Sequence, residues 1–68
     1  MPITTENAIP ASDLGPEHIG KDLIYQNHYR RILEVNDRHI YKSVRVWAGP
    51  NDSYEIILRA NEIVGVEG

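Results

Sequence analysis

The chain has no cysteine and no phenylalanine, and only one tryptophan and one methionine among its 68 residues. Without cysteine there is no disulfide framework and no thiolate zinc site to stabilise so short a chain. Cysteine-free composition also suits a reducing compartment. No stretch approaches the roughly 20 apolar residues of a membrane span, and "MPITTENAIPASDLG" lacks the basic and apolar segments of a secretory signal. A cytoplasmic location with no membrane contact is therefore expected, and the "NDS" at Asn51 is a chance match to a glycosylation acceptor.

Catalytic and cofactor signatures are missing as well. Glycines at 15, 20, 49, 65 and 68 build neither a phosphate-cradling loop nor a dinucleotide fingerprint. His18, His28 and His39 lie ten and eleven residues apart, outside the short spacing of a helical zinc motif, although they could converge with Asp22 or Glu34. Ser43 and Ser53 have no nucleophile signature around them, and one small domain leaves little room for a buried catalytic pocket. The expectation is a non-enzymatic protein with no cofactor and no metal site.

What the chain does have is strand-like alternation. At this length roughly 60% of the unfolded surface can be buried, so one small core must suffice. In "IYKSVRVWA" (40–48), Ile40, Val44, Val46 and Ala48 share one face, while Tyr41, Ser43, Arg45 and Trp47 share the other. Lys42 interrupts the apolar row, and a snorkelling position at a sheet edge is expected for it. "SYEIILR" alternates in the same way through Tyr54, Ile56 and Leu58. Facing residues of an antiparallel pair lie on one face, so paired numbers must sum to an even value. A sum of 102 sets Trp47 against Glu55; a sum of 100 sets Arg45 against Glu55 and Val46 against Tyr54. Either leaves an odd loop, for which "GPND" offers a Pro-led type I turn. A bulge would void this parity argument.

Elsewhere, "KDLIYQ" (21–26), "YRRILEVN" (29–36, with Leu33 and Val35 on one face) and "IVGVE" (63–67) read as strands. "NH" with its neighbours, Asp37-Arg38 and "ANE" (60–62) read as turns. Pro16, Glu17 and Gly20 predict a single helical turn at 16–19, with Gly20 ending it in the left-handed region and Leu14 and Ile19 pinning it over the core. Residues 1–12, polar and carrying Pro2 and Pro10, read as a flexible arm ahead of a domain at 13–68.

A long first connection, two central hairpins, and a tight "RANE" turn before a short closing strand resemble an SH3-like barrel over residues 19 to 67. "PEHIGK" and the "VRVW…YEIIL" hairpin also resemble short accessory proteins of actinobacterial phages. The resemblance implies an all-β, five-stranded SH3-like barrel. It implies no polyproline recognition, because the "ALYDY"-type start of peptide-binding SH3 domains is missing. The four residues at 16–19 are also short for the amphipathic helix that opens Sm-like proteins.

Two functional surfaces follow. If Val44 and Val46 face the core, then Tyr41, Arg45, Trp47 and Ile57 share the outer face, with Tyr25 or Tyr29 extending it. That composition matches interface hot spots and predicts a protein partner or self-association. Against it stands burial of this face under the N-terminal arm. The net charge of −3 hides a basic middle. Residues 28–45 carry Arg30, Arg31, Arg38, Lys42 and Arg45 against Glu34 and Asp37, while the segments on either side are acidic. Arg30, Arg31, Arg38 and Arg45 beside Trp47 and Tyr41 are the alternative: a small barrel stacking nucleic-acid bases on aromatics. The overall acidity opposes it.

Overall fold

The computed structural model describes residues 6–68. It is all-β: β1 (Ala8–Pro10), β2 (Asp22–Tyr25), β3 (His28–Asp37), β4 (Tyr41–Gly49), β5 (Asp52–Arg59) and β6 (Ile63–Glu67), with 3-10 turns at Ala11–Asp13 and Pro16–His18. The strands form one antiparallel sheet in the order β1-β6-β2-β3-β4-β5. Among the described residues the outermost strands, β1 and β5, do not pair with each other. The five-stranded barrel expected from the sequence is therefore replaced by six strands in a sheet that hydrogen bonds do not close.

The sixth strand comes from the segment read as an arm. Ala8–Pro10 pairs with Ile63–Gly65. The Ala11 and Ser12 amides then donate to the Glu62 and Ala60 carbonyls at 2.7 and 3.0 Å. Residues 8–12 are thus part of the sheet and its cover, and the flexible-arm reading fails for them; residues 1–5 lie outside the described residues. Ala11 and Leu14 are buried with Leu23, Ile32, Val44, Val46, Leu58 and Val64 in the core. Leu14 pins the first connection as expected, whereas Ile19 is exposed. The turn at Pro16–His18 ends as anticipated, with Gly20 at φ +94°.

Register explains which side chains reach the core. In the β4–β5 ladder Val46 faces Tyr54 and Arg45 faces Glu55, the sum of 100, and parity holds from Tyr41 to Trp47. A register shift between Trp47 and Gly49 supplies the extra residue, so Ala48 is exposed rather than core-facing. The turn itself is Pro50-Asn51, with Asn51 at φ +64°. A positive φ at the second central position, after proline, belongs to a type II turn, not the expected type I. Ile40 lies before β4 starts and is 74% exposed, so it too leaves the core row.

The β3–β4 ladder carries a second shift, between Ile32 and Glu34. A bulged residue moves the alternation by one, so Ile32 and Val35 both turn inward while Leu33 is left outside. The placement of Leu33 with Val35 is thereby corrected. Lys42 is corrected too. It lies on an interior strand, buried, and its Nζ donates to the Leu14 carbonyl at 2.9 Å.

Candidate functional site

The outer face of β3, β4 and β5 is organised in rows that follow from the registers. Trp47 faces Ser53 on β5. Continuing the Ile32–Val46 pairing sets Arg31 beside Trp47 on β3, and Arg31 faces Asp22 on β2. The next row is Glu34–Arg45–Glu55, and the one beyond it is Asn36–Ser43–Ile57. Tyr41, facing Arg59, ends the series. Arg45, Trp47, Ile57 and Tyr41 therefore do share one face, as the alternation predicts. They do not form one cluster: Tyr41 and Trp47 are six positions apart, about 20 Å along the strand.

Trp47 is 47% exposed and Ile57 50%. Two recesses flank the indole, one lined by Asp22, Tyr29, Arg30, Arg31 and Trp47, the other by Arg30, Trp47, Ala48 and Tyr54. None of residues 6–12 contributes to either. The segment after β1 runs across the far end of the core instead, toward Ala60 and Glu62. Tyr29 extends the patch, and Tyr25 does not, since it packs on the core side. Burial, together with the carboxylates of Glu67 and Asp22, raises the Tyr29 phenol above its ordinary pKa and keeps it neutral.

Two members of the patch escape a sequence reading. Leu33, 38% exposed, is put on this side by the bulge, opposite the Arg45–Val46 step. Tyr54 belongs to the inner row, but at the sheet's open end it is 42% exposed, and its hydroxyl accepts from Arg30 Nε at 3.1 Å. Alternation along β3 sets Leu33 with Val35, and only the shift between Ile32 and Glu34 turns Leu33 outward.

The arginines of the basic segment are each matched or dispersed. Arg31 faces Asp22, and Arg45 lies between Glu34 and Glu55 and donates to Ser53 Oγ at 3.2 Å. Arg30 is committed to Tyr54 and to the Tyr29 carbonyl. Arg38 sits apart, in the β3–β4 loop beside His39 and Ile40. The Ser43 hydroxyl donates to Glu55, fixing that carboxylate over β4.

The histidines are spread over three places. His18 Nδ1 accepts from the Gly15 amide at 3.1 Å, His28 opens β3, and His39 is in the β3–β4 loop. Among the described residues no group of three or more histidine, aspartate or glutamate side chains could hold a metal. No helix among them is long and apolar enough to cross a membrane. Comparisons with protein-family models, curated proteins and solved structures return no match.

Proposed function

We propose that this chain is a non-enzymatic protein-interaction module of the cytoplasm that docks a protein partner on the outer face of β3–β5. The carrying observation is the position of Trp47: half-exposed on a sheet face that it shares with Leu33 and Ile57, with charges of both signs between them. An apolar anchor flanked by charges of opposite sign on facing strands fits a desolvated protein contact better than a solvated surface. The strand order from β2 to β6, with a long first connection and a tight turn before the last strand, supports an SH3-like topology left open between its edges. The likeness of "PEHIGK" and the central hairpin to short accessory proteins of actinobacterial phages supports a phage accessory role.

The alternative, nucleic-acid binding, draws its support from Arg30 and Arg31 beside Trp47 and Tyr29. Phosphate binding needs uncompensated cations, and Asp22, Glu34 and Glu55 oppose them here. The deciding experiment immobilises wild type and Trp47→Ala and compares what each retains from the native host, alongside gel shifts with single- and double-stranded DNA and RNA at low salt. A protein retained by wild type and lost with Trp47→Ala, at unchanged thermal stability, is the expected result. A nucleic-acid shift abolished by the same substitution would replace this reading with the alternative.

A further inference from the structure

Residues 54–57 of β5 form one wall of an open groove of about 320 Å³, and the β2–β3 hairpin, with Tyr25, His28 and Arg30, forms the other. Leu23, a core residue, also lines it. The sheet ends at β5, and the loop before β4 fixes the direction of its backbone groups. The Tyr41 carbonyl accepts from the Arg38 amide, on the β3 side, so the Tyr41–Arg59 pair is not a hydrogen-bonded one. With the two-residue period of a strand, the N–H and C=O of Glu55 and Ile57 point away from β4, into the groove. Among the described residues no hydrogen bond takes these groups up.

Both ends of the groove are closed, by groups of opposite charge. At one end the Glu62 carboxylate holds the Arg59 amide at 3.2 Å and the Tyr25 phenol, and the Glu62 amide donates to the Arg59 carbonyl. The edge of β5 is therefore already used there. At the other end Arg30 Nε donates to the Tyr54 hydroxyl at 3.1 Å, across the gap from β3 to β5, and Nη1 donates to the Tyr29 carbonyl. Of the five N–H donors of a guanidinium, these bonds leave the two on Nη2 and one on Nη1. The open stretch from Glu55 to Ile57 is about 7 Å of strand, enough for about three residues of an extended chain. A groove stopped at both ends admits neither a second sheet nor a chain that passes through it. A chain that terminates inside it fits.

We infer that this groove binds the free C-terminus of a partner protein, laid as a short strand antiparallel to β5. Unused backbone donors and acceptors along a strand edge are matched by another peptide backbone. Charge sets the direction. The terminal carboxylate goes to the remaining donors of Arg30, whereas Glu62 at the far end repels it. β5 runs from Tyr54 toward Arg59, so a chain that ends at Arg30 runs antiparallel to it. The last residue then pairs with Glu55, whose amide donates to the same carboxylate, and the third residue from the end pairs with Ile57. The next-to-last residue stands opposite Ile56 and shares its inward face, beside the core, so an aliphatic side chain belongs there. The Glu55 carboxylate does not oppose the incoming charge, because the Ser43 hydroxyl holds it over β4. The inference goes beyond the docking face: it concerns the edge of β5 and stands even if Trp47 binds nothing.

Titration of the chain's amide NMR signals with N-acetylated hexapeptides tests it. The peptides share a Gly-Ser frame and carry Val, Leu, Ile or Met next to last. With a free C-terminal acid, at least one should shift the Glu55 and Ile57 amide signals with a Kd below about 1 mM. Changing the acid to an amide removes the charge-assisted bonds and should weaken binding about tenfold or more. Aspartate at the next-to-last position should weaken it to a similar degree. Arg30→Gln should weaken the acid and leave the amide as it was. If that variant fails to fold, the comparison of acid with amide on wild type decides alone. Leu33→Ser, on the docking face, should bind the peptide like wild type, which separates this result from the docking experiment. No shift at Glu55 and Ile57 with any of the four at about 5 mM, or equal binding of acid and amide, overturns the inference. Binding confined to the non-acetylated peptides also overturns it, and would assign the groove to free oligopeptides.

Discussion

The Lys42 ammonium donates to the Leu14 carbonyl at 2.9 Å across the end of the core, tying β4 to the segment between the two 3-10 turns. Its stem lies on the inner row between Val44 and the sheet's end, opposite Leu58, and the Asp37 carboxylate is 3.6 Å from the charge. A lysine in the core row thus satisfies a carbonyl that no strand reaches. Lys42→Met keeps the stem and loses the charge-assisted hydrogen bond, and should cost about 1.5–3 kcal/mol in urea unfolding. Asp37→Asn should change stability by less than about 1 kcal/mol, since that carboxylate is largely exposed.

The bulge in β3 decides which of two apolar neighbours reaches the core: Ile32 turns inward with Val35, and Leu33 stays outside with Glu34. Ile32→Ala removes a fully buried side chain and should cost about 2–5 kcal/mol by chemical denaturation. Leu33→Ser should stay within roughly 0.5 kcal/mol of wild type, yet weaken partner retention in the same direction as Trp47→Ala. A larger loss for Leu33→Ser than for Ile32→Ala would mean that Leu33 faces the core with Val35, as an unbroken alternation requires.

Legibility in the sequence tracked how local each determinant is. The alternation of 40–48 located β4 and turned Val44 and Val46 inward with Trp47 outward, and "IVGVE" matches β6 residue for residue. β1 was missed because Ala8–Pro10 has no period of its own. Its conformation follows from pairing with Gly65, Val64 and Ile63, more than fifty residues away in the chain. Leu33 and Ala48 were misplaced because a bulge leaves no trace in composition. The basic segment looked like a cationic patch because charge was summed along the chain. Folding sums it across strands, and there Asp22, Glu34 and Glu55 sit opposite the arginines.

Gly65 illustrates the same non-local constraint at one atom. It faces both Ala8 and Ile24, and a Cβ added there would stand 3.0 Å from Ile24 Cβ and 3.1 Å from its Cδ1. Ile24 is fully buried yet lies outside the main core cluster, on the opposite side of β2 from Leu23. Gly65→Ala should therefore destabilise by about 1–3 kcal/mol through overcrowding, despite the better strand-forming tendency of alanine. Combining it with Ile24→Val should recover part of the loss, a non-additivity that a double-mutant cycle measures directly.

The β2–β3 hairpin reverses through Gln26 and Asn27, at φ +51° and +64°. Two consecutive left-handed residues between Tyr25 and its partner His28 have the signature of a type I′ turn, which prefers Asn-Gly. Gln26→Asn with Asn27→Gly should raise the melting temperature, with a gain of about 1 kcal/mol from relieved backbone strain.

Tyr25 gives the pH dependence its sign. Burial raises its phenol above the ordinary value near 10, and the Glu62 charge and hydrogen bond push it in the same direction, against a smaller opposing contribution from Gln26. The folded state therefore favours the protonated phenol more than the unfolded chain does. The resulting stabilisation is complete below pH 10 and is lost as pH rises through the higher folded value. Tyr29 acts with the same sign, through its own burial beside Glu67 and Asp22. Urea midpoints measured from pH 8 to 11 should fall above pH 10 in wild type. Tyr25→Phe with Tyr29→Phe should flatten that decline, because the unfolded chain then has no extra protons to release at those positions.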